Sequence, residues 1–287
     1  MKYHVLYRGP LSSCNYGCEY CPFAKRQDTP ADLEADGVAL DRFLHWIAAQ
    51  TDCQFGVLFT PWGEALIRRS YQEALVFLTH LPNLDRAVIQ TNLSCDLKWV
   101  ERCRLDKLGL WTTFHPTEVA RAKFVAKVRT LHKWGVRLSV GAVGLREHFP
   151  EIAALRAEIP ADVYLWINAY KRVVDYYQEH ELHFLTGLDP HFPTNNLHHA
   201  SAREACWAGE TSFTVDGHGR IRRCHFVAEP LGTIADPDWR SLLKACSCPK
   251  SACGCYIGYV NLKRLKQSEI YGDGILERIP LQMADAR

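Results

Sequence analysis

Short apolar runs alternate with amphipathic segments over the first two-thirds of the chain, and this alternation constrains the fold more than any other feature. The runs at 3–7, 55–59, 87–91, 110–114, 137–143 and 163–167 are rich in β-branched or aromatic residues and too short for helices. Between them lie helical patterns. In 38–49, Leu40, Phe43, Leu44 and Ile47 fall at i, i+3, i+4 and i+7, one face of a helix. Residues 67–81, 97–108, 117–134 and 146–158 read the same way, and Gly109 and Gly135 suit helix C-terminal positions. About six β-α units in succession imply a parallel sheet with helical crossovers. A curved partial barrel and an open doubly wound sheet both satisfy the pattern, and both place chemistry at the C-terminal ends of the strands. No G-x-G-x-x-G follows the first strand, which weakens the dinucleotide-binding version.

Beyond residue 170 the pattern changes. Residues 179–186 read as helical, and Asp189-Pro190, Pro193, Asn195-Asn196 and His198-His199 mark an irregular connection. Residues 212–215 and 220–222 flank Asp216-Gly217-His218-Gly219, a hairpin signal. The fifty residues before Tyr256 are too short and too rich in cysteine for a large core of their own, and a small metal-stapled subdomain fits them better.

Composition excludes several classes. Of 287 residues, 47% are hydrophobic and 11% aromatic, which rules out a disordered chain. Lys plus Arg is 34 and Asp plus Glu is 32, so the formal charge is 34 − 32 = +2, which gives no reason to expect a nucleic-acid or membrane partner. No run approaches the roughly 18 apolar residues that cross a bilayer. Lys2, His4 and Arg8 interrupt any signal-peptide pattern, so a cytoplasmic protein is expected.

In a reducing compartment, clustered cysteines point to metal or redox chemistry. Of twelve, Cys14, Cys18 and Cys21 fall within eight residues straight after the first strand, while Cys206, Cys224, Cys246, Cys248, Cys253 and Cys255 fall within fifty. Cys53, Cys95 and Cys103 are isolated and read as small buried hydrophobes. A cubane [4Fe–4S] cluster has four irons, normally held by four thiolates. Three thiolates on one loop leave one iron open, as in reactive rather than structural metal sites. Gly17 is expected to let the loop turn tightly. The competing readings are a zinc site with a distant fourth ligand, or three unrelated thiols.

Cys14-x3-Cys18-x2-Cys21, with Tyr20 just before the last cysteine, resembles the signature of the radical S-adenosylmethionine (SAM) superfamily. The resemblance implies a partial (β/α)6 barrel. It also implies an open iron that chelates the amino and carboxylate groups of SAM, reductive cleavage to a 5′-deoxyadenosyl radical, and hydrogen abstraction from a substrate. It assigns further residues. Trp62-Gly63-Glu64-Ala65 stands where the family has a Gly-Gly-Glu-Pro-like turn. Gly63 and Glu64 match, Trp62 and Ala65 depart, and Glu64 would face the SAM ammonium. Thr91-Asn92 is similar to the family's Thr-Asn. Thr113 is the candidate ribose ligand, and His115 a ribose ligand, a proton carrier or a strand-end histidine. Residues 140–144 with Glu147 loosely resemble the adenine-side pattern, and Asn168 stands where adenine contacts occur.

Cys206-x12-Gly219-x4-Cys224 resembles the opening of the SPASM and twitch subdomains, which carry auxiliary iron–sulfur clusters, and Leu231-Gly232-Thr233-Ile234 resembles the strand that follows. Cys246-x-Cys248-x4-Cys253-x-Cys255 resembles a shortened SPASM pattern. One auxiliary [4Fe–4S] cluster is the economical reading, on Cys206, Cys224 and two of the later four, with a zinc ion held by four thiolates as the competitor. The expected organisation is a barrel core at 1–170, a bridge at 171–205, an auxiliary cluster subdomain at 206–258 and a tail at 259–287, where 276–280 resemble an uncharacterised bacterial branch.

The expected function is therefore radical SAM chemistry on a peptide or protein side chain, with a flavodoxin or ferredoxin-type electron donor. Tyr164, Trp166, Tyr170, Lys171 and Arg172 are candidates to line the barrel mouth. The alternatives are oxidation or rearrangement of a small sugar or nucleoside, and a non-catalytic iron–sulfur or zinc scaffold.

Overall fold

The computed structural model describes residues 1–24, 26–273 and 277–284, so Leu276 of the tail signature lies outside the described residues. β1 (Lys2–Arg8), β2 (Gln54–Phe59), β3 (Leu84–Thr91), β4 (Leu108–Phe114), β5 (Arg137–Val143) and β6 (Leu165–Asn168) lie side by side in chain order, and every neighbouring pair is parallel. A doubly wound sheet would reverse its order after the first strand; this one does not.

Among the described residues, five helices of at least ten residues accompany the strands: α1 (Pro30–Ala49), α2 (Arg69–His80), α3 (Arg121–Lys133), α4 (Phe149–Glu158) and α5 (Glu179–Leu188). α1 begins eight residues before the apolar stripe that signals it. Thr29 and Asp32 form a capping box, with Asp32 N donating to Thr29 Oγ1 at 3.2 Å and Thr29 N donating to Asp32 Oδ2 at 2.9 Å. The helix expected at 97–108 is only a 3-10 turn, Lys98–Arg102. Gly109 is a correction as well: it sits inside β4, where a side chain would meet Val88 Cγ2 at 2.8 Å. Gly135 does follow α3, with φ +80°. The irregular connection holds a short helix, α6 (Phe192–Asn195).

The two faces of the sheet bury different partners. Val5, Val57, Ile89, Leu110, Val140 and Leu165 turn toward the helices. Leu6, Leu58, Val88, Trp111 and Trp166 turn the other way, against Tyr256, Ile257 and Tyr259 of α7 (Tyr256–Tyr259). Burial on both sides is why these strands read as apolar runs rather than alternating ones. A methyl group on Gly141 would overlap the Trp166 indole, so glycine there lets the indole lie across β5. The tail enters this inner face. Glu277, 2% exposed, accepts from Arg86 and Arg137, both at 2.7 Å, and the buried Arg278 guanidinium stacks on Trp166 and Tyr256.

Two-residue strands follow β6. β7 (His199–Ala200) pairs with β13 (Ala252–Cys253), and β8 (Ala205–Cys206) pairs with β12 (Cys246–Ser247), all antiparallel. β9 (Ser212–Asp216) runs parallel to β1, and β10 (Arg220–Arg222) and β11 (Pro230–Thr233) extend the sheet to nine strands. The expected hairpin is there, with Gly219 at φ +76°, and its first strand is continuous with the parallel sheet. Among the described residues, no helix is long and apolar enough to cross a membrane.

Candidate functional site

The loop that follows β1 is strung between carboxylates. Leu11 N donates to Asp36 Oδ1 at 3.1 Å, and Gly9 packs so closely that a side chain would stand 2.6 Å from the same oxygen. Asp28 accepts from the backbone N–H and hydroxyl of both Ser12 and Ser13, at 2.7–2.9 Å. Burial opposes ionisation of Asp28, but these bonds outweigh it and hold its pKa below the usual carboxylate range. Gly63 lies directly against the Ser13 carbonyl, which accepts from Glu64 N at 3.1 Å. The turn after β2 thus clamps the cysteine loop. Gly17 is another correction: nothing lies within 4 Å of its would-be side chain and its φ is ordinary, whereas Ala24 takes the left-handed conformation, φ 54°.

Cys14 and Cys21 are half-buried and Cys18 is buried. Tyr16 N donates to Cys14 Sγ at 3.4 Å, and Asn92 Nδ2 lies 3.9 Å from the same sulfur. Amide donors aimed at sulfur suit a cluster thiolate, whose charge they stabilise. Behind Cys18, His115 Nδ1 stands 3.4 Å from the Sγ and 2.8 Å from Tyr20 Oη. The two rings are nearly parallel, and His148, buried and unforeseen from sequence, meets Tyr20 edge-on at 5.3 Å. Burial pushes the pKa of His115 down to about 4, so the imidazole is neutral near pH 7. Tyr20 and His115 therefore brace the loop.

Glu64 is turned inward. It is 2% exposed, and its carboxylate accepts from Thr91 Oγ1 at 2.8 Å, Asn92 N at 2.5 Å and Leu66 N at 3.0 Å. In this structure the carboxylate is shut in. Burial raises its pKa to about 6. Its place is to tie the ends of β2 and β3 together. Asn92 is also buried, bridging to Asn15 Oδ1 at 3.1 Å. Lys127 donates to the carbonyls of Leu93, Ser94 and Cys95 at 2.7–2.9 Å and fixes the turn beyond. Lys127 and Asp28 carried no sequence signal, since each acts across a fold that only tertiary structure brings together.

Thr113 lies two residues after Trp111 on β4 and so shares its inner face. Asn168, at the end of β6, is exposed. Neither side chain makes a hydrogen bond among the described residues; Asn168 is open above the strand ends, whereas Thr113 is buried. Glu147 is exposed, in a 3-10 turn beyond β5. The expected mouth residues divide: Tyr164 and Trp166 are core, Tyr164 Oη donating to Asp189 at 2.5 Å, and Lys171 donates to the carbonyls of Asn195, Leu197 and Gly254.

The C-terminal cysteines surround a cavity of about 110 Å³ lined by Cys206, Cys224, Cys248, Cys253 and Cys255. Cys206, Cys224, Cys248 and Cys253 lie within electrostatic reach of one another, with Cys246 also near Cys206 and Cys255 near Cys253. Cys255 also lines the cavity but is exposed, with the positive charges of Arg8, Lys171 and Arg278 within electrostatic reach. Cys246 pairs with Cys206 across β8 and β12, with its Sγ 3.9 Å from the Ala208 carbonyl, outside the cavity lining. No three His, Cys, Asp or Glu side chains among the described residues converge as the ligands of a single metal ion do. Of the isolated thiols, Cys53 and Cys95 are buried and Cys103 half-buried. His198 is exposed, but His199 is buried, with Nε2 2.9 Å from the Thr194 carbonyl.

No model of a protein family matches the chain, and no curated protein matches it. Solved structures do. Native anSMEcpe with bound AdoMet and the Cp18Cys peptide is similar, with a TM-score of 0.57 and 14% identity over 85% of this chain and 80% of that one. Native anSMEcpe with bound AdoMet gives a TM-score of 0.54 and 15% identity over 84% of this chain and 81% of that one. anSME is an anaerobic sulfatase-maturating radical SAM enzyme. The chain shares the fold of that enzyme.

Proposed function

We propose that this protein is a radical SAM enzyme. The observation that carries the reading is the placement of Cys14, Cys18 and Cys21 on one clamped loop at the C-terminal end of β1, beside the open ends of the next five parallel strands. A [4Fe–4S] cluster on these thiols would supply the one-electron cleavage of SAM to a 5′-deoxyadenosyl radical, which takes a hydrogen atom from the substrate. The chain's own part is to hold and shield. Asn92 and Tyr16 direct N–H groups at Cys14, Tyr20 and His115 brace Cys18, and Gly63 keeps the loop against the β2 turn. Thr113 and Asn168 offer a hydroxyl and an amide to the polar groups of SAM. With Glu64 turned inward, backbone carbonyls of the turn at 62–63 would be left to hold the SAM ammonium.

Cys206, Cys224, Cys248 and Cys253 would hold an auxiliary [4Fe–4S] cluster. The support is the shared cavity, which Cys206, Cys224, Cys248 and Cys253 line together. The electron donor would be a flavodoxin or ferredoxin-type protein, the setting cytoplasmic, and the substrate a peptide or protein side chain; the likeness to an enzyme solved with a bound peptide supports the last of these. The test is anaerobic incubation of reconstituted enzyme with SAM and a strong reductant, followed for 5′-deoxyadenosine and methionine.

A further inference from the structure

A cleft of about 700 Å³ crosses the C-terminal ends of β1 and β9, between α1 and the β9–β10 hairpin. We propose that it is the binding groove for an acidic, extended segment of the peptide substrate. The inference rests on the radical SAM reading for what the groove serves, but not for what it binds.

The volume is that of a ligand pocket. Its two walls have different chemistry. On α1, Ala31, Ala35, Val38 and Ala39 recur at i, i+4, i+7 and i+8, a stripe of small apolar side chains on one helix face. Val38 is 62% exposed, a large hydrophobe left uncovered on that stripe. The opposite wall is basic: Arg8, Arg220 and Arg222 line it beside Asp216, and Arg42 adds a fourth guanidinium from the α1 side, where Glu34 is the one lining acid. Asp216 is already engaged by Arg220 at 2.8 Å and Arg222 at 3.3 Å. Arg8 and Arg42 make no ion pair among the described residues: Arg8 donates to Thr60 and lies 2.5 Å from His225 Nε2, and Arg42 donates to the Gly217 carbonyl. Arg222 Nε is buried with no partner. Guanidiniums without acids are the preferred seats of carboxylates.

The inner end of the cleft fixes its direction. The Arg8 guanidinium lies 4.3 Å over the Trp62 ring, and Trp62 touches Phe23 at 5.1 Å. Phe23 follows Cys21 by two residues and Trp62 immediately precedes Gly63, so a chain in the cleft ends beside the clamped cysteine loop. A free phosphate would use only the guanidinium corner and leave the apolar wall uncovered. A nucleic acid would bring phosphates but no aliphatic side chains to cover the stripe on α1, and the protein's formal charge is only +2. A peptide that alternates acidic and aliphatic side chains matches both walls.

The test uses the reconstituted full-length enzyme and a fluorescein-labelled dodecapeptide in which Glu alternates with Leu and Ala, read by anisotropy beside its Gln counterpart. The Glu peptide is expected to bind at least tenfold more tightly than the Gln peptide and to weaken steeply with salt. Arg42→Glu and, separately, Val38→Asp should each weaken it at least tenfold while keeping the native circular dichroism; Val38 is exposed, so its variant has no packing reason to unfold. Equal binding of the two peptides, unchanged binding in both variants, or full displacement by inorganic phosphate or an RNA oligomer at matched concentration would overturn the groove. An enzyme that forms 5′-deoxyadenosine yet fails these tests loses the groove and keeps the radical reading. One that passes them without forming 5′-deoxyadenosine keeps the groove and loses that reading.

Discussion

Gly63 packs against Ser13 so tightly that a single methyl group would overlap the Ser13 carbonyl. This contact joins the turn after β2 to the loop that carries Cys14, Cys18 and Cys21. Gly63→Ala should displace the loop and lower the iron retained there after anaerobic reconstitution. Gly17→Ala, where nothing stands within 4 Å, should keep it. Iron per chain in the two variants checks the clamp, and equal retention would refute it.

Glu64 is a stability residue in this account. Glu64→Ala leaves Thr91 Oγ1, Asn92 N and Leu66 N without their acceptor and should cost about 1–3 kcal/mol in denaturant unfolding. The pH dependence follows from burial. The pKa is raised from 4.5 to about 6 in the folded protein, so the folded state binds the proton more tightly than the unfolded chain. Stability from this group is fully present below pH 4.5 and is lost as pH rises through about 6, on the order of 1–2 kcal/mol in all. Glu64→Ala should remove that slope, and a selective loss of SAM affinity at unchanged stability would restore the ammonium-ligand role.

Much of the fold was legible in the sequence, for identifiable reasons. The six strands are buried on both faces, so each reads as an apolar run, and the cysteine spacing is local to one loop. α1 was half legible. Its stretch 30–37 has no wide apolar stripe, and only the Thr29–Asp32 cap marks its start. Residues 97–108 carry apolar side chains at helical spacing, but the crossover there is short and only Trp99 and Val100 of its 3-10 turn are buried. Glu277 and Arg278 were not legible, because charged side chains enter a core only when partners such as Arg86, Arg137 and Trp166 await them. The inward turn of Glu64 was hidden for the same reason: two of its three donors are 27 and 28 residues away in sequence.

The auxiliary site gives a prediction by ligand. Wild type should take up about eight irons, two cubanes, after reconstitution. Cys14, Cys18 and Cys21 changed together to Ala should halve that and leave a cluster spectrum. Cys248→Ala and Cys253→Ala should each disturb the remaining cluster, and Cys246→Ala should not. Zinc in place of half the iron, or equal effects at Cys246 and Cys248, would contradict the assignment.

His115 is neutral in the folded protein, with its pKa lowered by burial from 6.5 to about 4. Cluster spectra and SAM cleavage should therefore show no inflection near pH 6.5 attributable to it. Stability linked to His115 should be present above pH 6.5 and lost as pH falls toward 4. Tyr20→Phe removes the 2.8 Å bond and should cost about 0.5–1.5 kcal/mol. Unfolding curves of both proteins at pH 5 and 8 measure this, and a midpoint unchanged by Tyr20→Phe at pH 8 would remove the brace.

The central claim is that the loop after β1 makes this chain a radical SAM enzyme. The most direct measurement is 5′-deoxyadenosine formed from SAM under a strong reductant, by the reconstituted wild type and by the variant with Cys14, Cys18 and Cys21 changed to Ala. The account predicts product from the wild type and none above background from the variant, even though the variant keeps its second cluster. Equal product from both, or none from an iron-replete wild type, would contradict it.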